Sequence, residues 1–390
     1  MIRKSLFVPL CLLLLLVAYL LLAPVPIHPL PWHAPHDAGY SGPHLPNTRL
    51  TDLHLVSLGG GAGPEHVALG PDGKLYVAVD GGKIIRMQAD GSVPEVWANS
   101  GGRVLGFDFD AAGRLIAADA MRGLLAIDSG PERTITVLAD HVQDHGQSDP
   151  IRYADAVVVA KNGKIYLSDA SRHFGAKQFG GTFNASVLDI VEHDPTGRIL
   201  EYDPATRQLR VVLHGLSFAN GLALSADESA LFVAETGAYR VWKIDPAARD
   251  LNAAAIAAAA DAGDASQSTP QARILLANLP GYPDNLMRGM HGRIWLGLAK
   301  PRGAALDNMA EIPFLRDITM RLPKVLWPVP PAYGHVIAFD EEGKMAADLQ
   351  DPSGHYPETT GVLETADRLY IQSLHAQALG WRDKSGLNLP

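Results

Sequence analysis

The chain has one cysteine, Cys11, in 390 residues, so no internal disulfide can form. It has no excess of positive charge: 33 Lys and Arg stand against 42 Asp and Glu, for a net charge of −9. That balance argues against nucleic acid as a partner, because phosphate binding needs a basic face. No Gly-x-Ser-x-Gly elbow occurs, so Ser171 in Asp169-Ala170-Ser171-Arg172-His173 is a poor candidate for a serine-hydrolase nucleophile. What is plentiful is glycine (38), proline (28) and apolar residues (47%), a composition that favours many short strands and turns around a sizeable core.

The N-terminus carries a strong local signal. Arg3 and Lys4 precede an apolar run from Leu6 to about Ile27, and roughly 20 apolar residues span a bilayer as a helix. A cleaved signal peptide is the rival reading, but Leu22-Ala23-Pro24-Val25-Pro26 lacks a small-x-small cleavage pair. The expectation is a transmembrane anchor over residues 1–27 with Cys11 buried in it. A Pro-rich linker follows over 28–49 and a globular domain over 50–385. Positive residues before the span predict a single-pass membrane protein with its bulk on the non-cytoplasmic side.

One pattern recurs six times: a turn rich in Asp, Asn or Gly, then a short β-branched or aromatic strand. The copies lie at residues 71–77, 112–117, 161–167, 226–233, 291–296 and 366–371. Asp-Gly and Asn-Gly tolerate the positive φ angles of tight hairpins. A further strand precedes each turn, as in His66-Val67-Ala68-Leu69, and others follow, as in Lys83-Ile84-Ile85-Arg86-Met87. The spacing suits one four-stranded blade per copy and predicts an all-β, six-bladed β-propeller. An eight-stranded barrel is the alternative fold. Residues 252–268, rich in alanine, read as a surface loop or short helix. Residues 303–327 read as amphipathic helix, packed on a blade or serving as a lid or membrane-facing surface.

In a propeller the innermost strands converge on a central tunnel. About ten residues before each repeated strand lie Glu65, Gly106, Ala154-Asp155, Asn220, Asp284-Asn285 and Thr360. Four of these six places offer a carboxylate or carboxamide. Hard oxygen donors, without thiolates or a dense histidine set, suit calcium better than zinc. The plainer reading is that Asp and Asn are common turn residues.

The chain resembles the strictosidine synthase-like proteins, a branch of the group that includes paraoxonases and the SMP-30/gluconolactonase proteins. It also resembles the membrane-anchored, adipocyte plasma membrane-associated type in plan. The resemblance rests on Gly63-Pro64-Glu65, Tyr153-Ala154-Asp155, Ile165-Tyr166-Leu167-Ser168-Asp169, Phe218-Ala219-Asn220-Gly221-Leu222, Gly281-Tyr282-Pro283-Asp284-Asn285 and Tyr333-Gly334-His335-Val336. It implies an esterase- or lactonase-like hydrolase of small esters or lactones. It also implies a Ca2+ ion held by Glu65, Asn220 and Asp284, with Asn285 beside them. Ala154 stands where the calcium-dependent relatives carry Asn, and Asp155 is the substitute donor. Thr360 falls where the plant synthase carries its catalytic glutamate, which disfavours strictosidine-type condensation. His173 and Asp155 are the candidate catalytic residues, and His375 and His291 are further candidate bases. A non-catalytic propeller binding a small ligand or partner is the alternative function.

Overall fold

The computed structural model describes residues 2–144, 146–263, 269–387 and 389. Six four-stranded antiparallel sheets form the predicted propeller. Their innermost strands are His66–Leu69, Val104–Phe109, Ala154–Val159, Ala219–Leu224, Gly281–Arg288 and Thr359–Glu364, one for each of blades one to six. Each of the six repeated turns joins an innermost strand to the second strand of its blade. Gly73, Gly113, Gly163 and Gly292 in these turns take φ of 73°, 75°, 83° and 78°, the left-handed backbone that a Cβ disfavours. The third blade gains a short parallel edge, Leu251–Asn252 against Gln208–Leu216.

The ring closes between its two ends. His54–Ser57 supplies the outer strand of blade six, pairing antiparallel with Ala378–Asp383 so that His54 faces Trp381 and Ser57 faces Ala378. The core sits between adjacent blades. Phe232 and Ala223 of blade four pack on Leu296 and Ile337 of blade five, for example, and Tyr76 of blade one on Phe107 of blade two. Close to the axis the innermost strands almost touch. A Cβ on Gly221 would lie 2.2 Å from the Leu286 backbone nitrogen, so this position accepts only glycine.

Among the described residues, five α-helices accompany the blades. α1 is Ile2–Leu22, α2 is Thr182–Glu192, α3 is Ala253–Asp261, α4 is Ala304–Asn308 and α5 is Pro313–Arg321. The alanine-rich segment is therefore helical over α3, with Asn252 capping it by accepting a hydrogen bond from Ala255 N at 3.0 Å. Residues 264–268 of that segment lie outside the described residues. The amphipathic stretch folds as α4, α5 and the single turn Lys324–Leu326. The repeat pattern does not announce α2; the Asn184-Ala185-Ser186 sequon lies in its first turns.

The expected membrane span is overturned, and with it the single-pass localisation. No helix among the described residues is long and apolar enough to cross a membrane. Arg3, Lys4 and Ser5 occupy the first turn of α1, and its apolar part, residues 6–22, extends about 26 Å at ~1.5 Å per residue. A bilayer core is about 30 Å thick. The apolar run continues beyond the helix, but Ile27 is buried against the propeller with Leu105 and Phe174. Cys11 is half-buried. Arg321 donates to the carbonyls of Ala23 (2.6 Å) and Leu20 (3.2 Å), covering the C-terminal end of α1.

From Ala23 to Leu50 the chain is a strap laid over the propeller. Leu30 N donates to Glu192 O and Trp32 N to Ala310 O. The Trp32 ring stacks on His193 at 3.9 Å, and Leu50 is fully buried.

Candidate active site

The first residues of the innermost strands face a cavity of about 850 Å3. Its floor carries Glu65, Asp155, Asn220 and Asp284, all 6% exposed or less. Bulges place three of them. Antiparallel register slips between Ala154 and Val157, between Ala219 and Leu222, and between Pro283 and Leu286. A bulge adds a residue out of register and re-aims its side chain. Asp155, Asn220 and Asp284 each lie within such a bulge. Ala154 pairs with Asp169 and stays in the core, so the donor from blade three is Asp155.

The three carboxylates are short of positive charge. Burial pushes Glu65 up to about 7, against the opposing pull of Arg103. Burial raises Asp155 well above the carboxylate range, and the charge of Glu65 adds to it. Asp284 is raised in the same way, by burial and then by Glu65 and Asp155. Buried like charges that stay unpaired are costly.

Two oxygens are left open. Asn220 Nδ2 donates to Thr236 Oγ1 at 3.2 Å, and Thr236 Oγ1 donates to Pro283 O at 2.7 Å. That chain fixes the carboxamide and leaves Asn220 Oδ1 buried without a hydrogen-bond partner, as is Glu65 Oε2. An all-oxygen donor set with surplus negative charge and orphaned acceptors fits a hard divalent cation such as Ca2+. The fit is one of donor type. The three carboxylates are not drawn together to a 4.8 Å spacing; among the described residues the one such group of His, Cys, Asp or Glu lies elsewhere.

Asn285 does not line this cavity. Its Nδ2 donates to Glu65 O at 3.0 Å, and it borders a smaller cavity of about 370 Å3 at the opposite ends of the innermost strands. Gly106 packs beneath Asp155 and Ala156. The contribution of blade two is Arg103, three residues earlier, whose Nη1 lies 3.2 Å from Asp80 Oδ1 and whose Nη2 lies 3.7 Å from Glu65 Oε2. Sequence reasoning missed it because the count back from the turn was held constant, whereas the polar residue here precedes the strand rather than sitting in its bulge.

His375 is the one imidazole lining the cavity among the described residues. Its Nδ1 bonds to Glu358 Oε2, and Lys300 Nζ lies 2.6 Å from Glu358 Oε1. Burial raises Glu358, but the bonds from His375 and Lys300 outweigh it and hold the carboxyl at about 2. The bond to Glu358 raises His375 in turn. Glu358 (φ 54°) and Phe218 (φ 59°) immediately precede the innermost strands of blades six and four and have left-handed backbone, a strain common at functional sites.

His173 is not among the cavity residues. It stacks on Phe174, and its Nδ1 lies 2.6 Å from Glu192 Oε1. His291 is an exposed turn residue with φ 55°. Ser171 is fully buried, its Oγ accepting from Phe174 N at 2.9 Å.

Above the polar floor the wall is largely apolar, with Thr182, Asn184, Ser186, Thr319 and Lys324 among its polar members. Leu188 of α2, Leu306 of α4, Met320 of α5, Phe179, Trp327 and Val329 belong to it. The helices are insertions between the second and third strands of blades three and five.

Residues 155–244 match the strictosidine synthase family, and residues 42–87 match the strictosidine synthase-like N-terminal family. The chain is 31% identical over 344 residues to strictosidine synthase-like protein 4 of Arabidopsis thaliana, covering 85% of this chain and 82% of that one. It belongs to the strictosidine synthase-like family. It is also 26% identical to the adipocyte plasma membrane-associated protein of Homo sapiens, over 91% of this chain and 81% of the human one. Among solved structures, a gluconolactonase from Xanthomonas campestris superposes with a TM-score of 0.57 at 18% identity, covering 92% of this chain and 96% of that one. That likeness shows the shared propeller.

In this member of the strictosidine synthase-like family, Thr360 is fully buried and its Oγ1 donates to Glu65 O at 2.9 Å. It therefore braces the backbone of the floor. A hydroxyl in that bond does not replace a glutamate acid/base.

Proposed function

We propose that the chain hydrolyses esters or lactones that carry apolar substituents, with the carboxylate floor as the reacting end. The observation that carries this reading is the juxtaposition of three buried carboxylates with raised pKa values and an apolar-walled cavity of about 850 Å3. A carboxylate whose proton affinity burial has raised is a stronger base than an exposed one and is suited to take a proton from water and return it.

Asp155 is the proposed general base. Water adds to the carbonyl carbon as its proton passes to the carboxylate. The acyl C–O bond then breaks, and the same proton goes to the departing alkoxide. Arg103 and Lys300 place positive charge at the cavity for the oxyanion. Glu65, Asp155, Asn220 and Asp284 would hold a divalent cation, which when bound supplies Lewis-acid polarisation of the carbonyl. The apolar wall favours substrates with alkyl or aryl groups over sugar lactones, because it offers few partners for hydroxyl groups.

The test is a substrate series of γ-lactones and aryl esters with lengthening alkyl chains. Rising kcat/KM with chain length is expected. Asp155→Asn should lower kcat by about a hundredfold or more. Unchanged turnover in Asp155→Asn would remove the assigned base. A second reading, a binding propeller without catalysis, is favoured by the one lining imidazole being engaged with Glu358. Saturable binding of the same lactones without turnover in the wild type would decide for it.

A further inference from the structure

Away from the tunnel, three side chains from two distant stretches meet at the outer part of blade five. His44 ends the single helical turn Gly42–His44 of the strap. His335 lies on the third strand of the blade, Gly334–Phe339, and Asp348 on the fourth, Met345–Asp351. Asp348 Oδ2 lies 2.8 Å from His44 Nδ1 and 3.0 Å from His335 Nε2. One donor atom from each of the three falls within 4.8 Å of the other two. The side chains are 14%, 2% and 7% exposed for His44, His335 and Asp348.

We propose that His44, His335 and Asp348 form a second metal site, for a borderline transition-metal ion of the Zn2+ type, that fastens the N-terminal strap to blade five.

Three observations support it. Two imidazoles with one carboxylate are the donor set that selects Zn2+ and its neighbours over Ca2+ or Mg2+. The tunnel floor is all oxygen, so the two sites differ in the ions they prefer. The spacing is close to what an ion needs: ligands about 2.0–2.1 Å from a tetrahedral Zn2+ sit about 3.3 Å from one another, a few tenths beyond the distances here. The carboxylate is oriented from behind. Asn47 Nδ2 donates to Asp348 Oδ1 at 3.1 Å and Gln350 Nε2 at 2.5 Å, which leaves Oδ2 as the single oxygen turned to both rings. Such outer partners orient metal ligands.

Two polar atoms beside the cluster are not among its ligands. His335 Nδ1 and the Tyr40 hydroxyl are both buried without hydrogen-bond partners, and their rings lie 5.6 Å apart. With an ion in place each neutral ring carries its proton on the other nitrogen, Nε2 in His44 and Nδ1 in His335. The ring of Tyr40 packs against Tyr333 at 4.9 Å and closes the site toward the strap.

The consequence is mechanical. The strap also borders the substrate cavity through Pro26 and bonds to the α4–α5 region through Trp32 and Leu30. Fixing His44 anchors its far end.

The experiment is titration of the chelator-stripped full chain with Co2+, a spectroscopic stand-in for Zn2+. One equivalent should bind with the visible absorption of a tetrahedral ion, and Zn2+ should displace it while Ca2+ does not. His44→Ala, on the strap and outside the propeller core, should weaken binding by more than about a hundredfold, and Asn47→Ala by about ten- to a hundredfold. Circular dichroism checks that both variants stay folded. Asp284→Asn should bind Co2+ like the wild type. The proposal falls if the wild type takes up no stoichiometric Co2+, if His44→Ala binds it unchanged, or if Asp284→Asn abolishes uptake. The last result would put the ion in the tunnel.

Discussion

Glu65 gives the floor a measurable pH dependence in the metal-free protein. Folding raises its pKa from 4.5 to about 7, with burial as the main cause. Between those values the native state holds a proton that the unfolded chain has released. The contribution of Glu65 to stability is therefore fully present below about pH 4.5 and is lost as pH rises through about 7. The displacement is worth about 3 kcal/mol. For a propeller of this size the unfolding entropy is about 0.7 kcal/mol/K, so the loss corresponds to about 5 °C in Tm. Other groups slope the opposite way. His66, held by burial at about 4, stabilises the fold increasingly as pH rises toward 6.5. The informative quantity is thus the difference between wild type and Glu65→Gln, both with EDTA, by calorimetry from pH 4.5 to 8. The wild type should lose about 5 °C relative to the variant across that range. Adding Ca2+ at pH 8 should return most of it to the wild type and little to Glu65→Gln. Parallel Tm curves would refute the assignment of an uncompensated carboxylate at the floor.

Calcium at a hundredfold excess over its dissociation constant should stabilise the wild type by about 2.7 kcal/mol, and Asp284→Ala should lose most of that response in thermal melts. Ser171→Ala removes hydrogen bonds to Phe174 N and His173 N. It should cost about 1 kcal/mol and leave any ester or lactone hydrolysis intact; loss of activity at full folding would reinstate the serine. Gly221→Ala forces a Cβ against the Leu286 and Asp284 backbone and should destabilise by about 1–3 kcal/mol in urea melts. Removing residues 1–22 should leave the β-sheet circular dichroism unchanged, because α1 packs on α5 and supplies no strand; a collapsed spectrum would show that the helix is part of the fold.

Much of the architecture was legible because it rests on local chemistry repeated six times. Asp-Gly and Asn-Gly can take positive φ and reverse the chain, and the β-branched run after each turn has strand propensity whatever lies around it. The same phase found Glu65, Asp155, Asn220 and Asp284, since equivalent points on equivalent strands must meet at the axis. The sequence alone thus determined the blades, their number and four acidic or amide side chains of the floor.

Only the tertiary structure decided the rest. The bulge between the first two strands of blade three that turns Asp155 into the cavity, and the contact that bonds Asn285 to Glu65 O, exist only in the folded ring. Arg103 and Glu358 stand just before the innermost strands of blades two and six, and Lys300 lies inside the second strand of blade five, so a fixed count back from the repeated turns does not reach all three. His173 stands near the floor in sequence, but the loop after Asp169 carries it to Glu192 instead. At the N-terminus composition alone misleads, because apolarity does not say whether a residue meets lipid or protein. Ile27 continues the same hydrophobic run as α1, yet its partners are Leu105 and Phe174 of the propeller. The strap, the ring closure through His54–Ser57 and the meeting of His44 with His335 and Asp348 all join residues more than about 150 apart in sequence. Such long-range pairings are chosen by the closed geometry of the ring and leave no periodic trace in the chain.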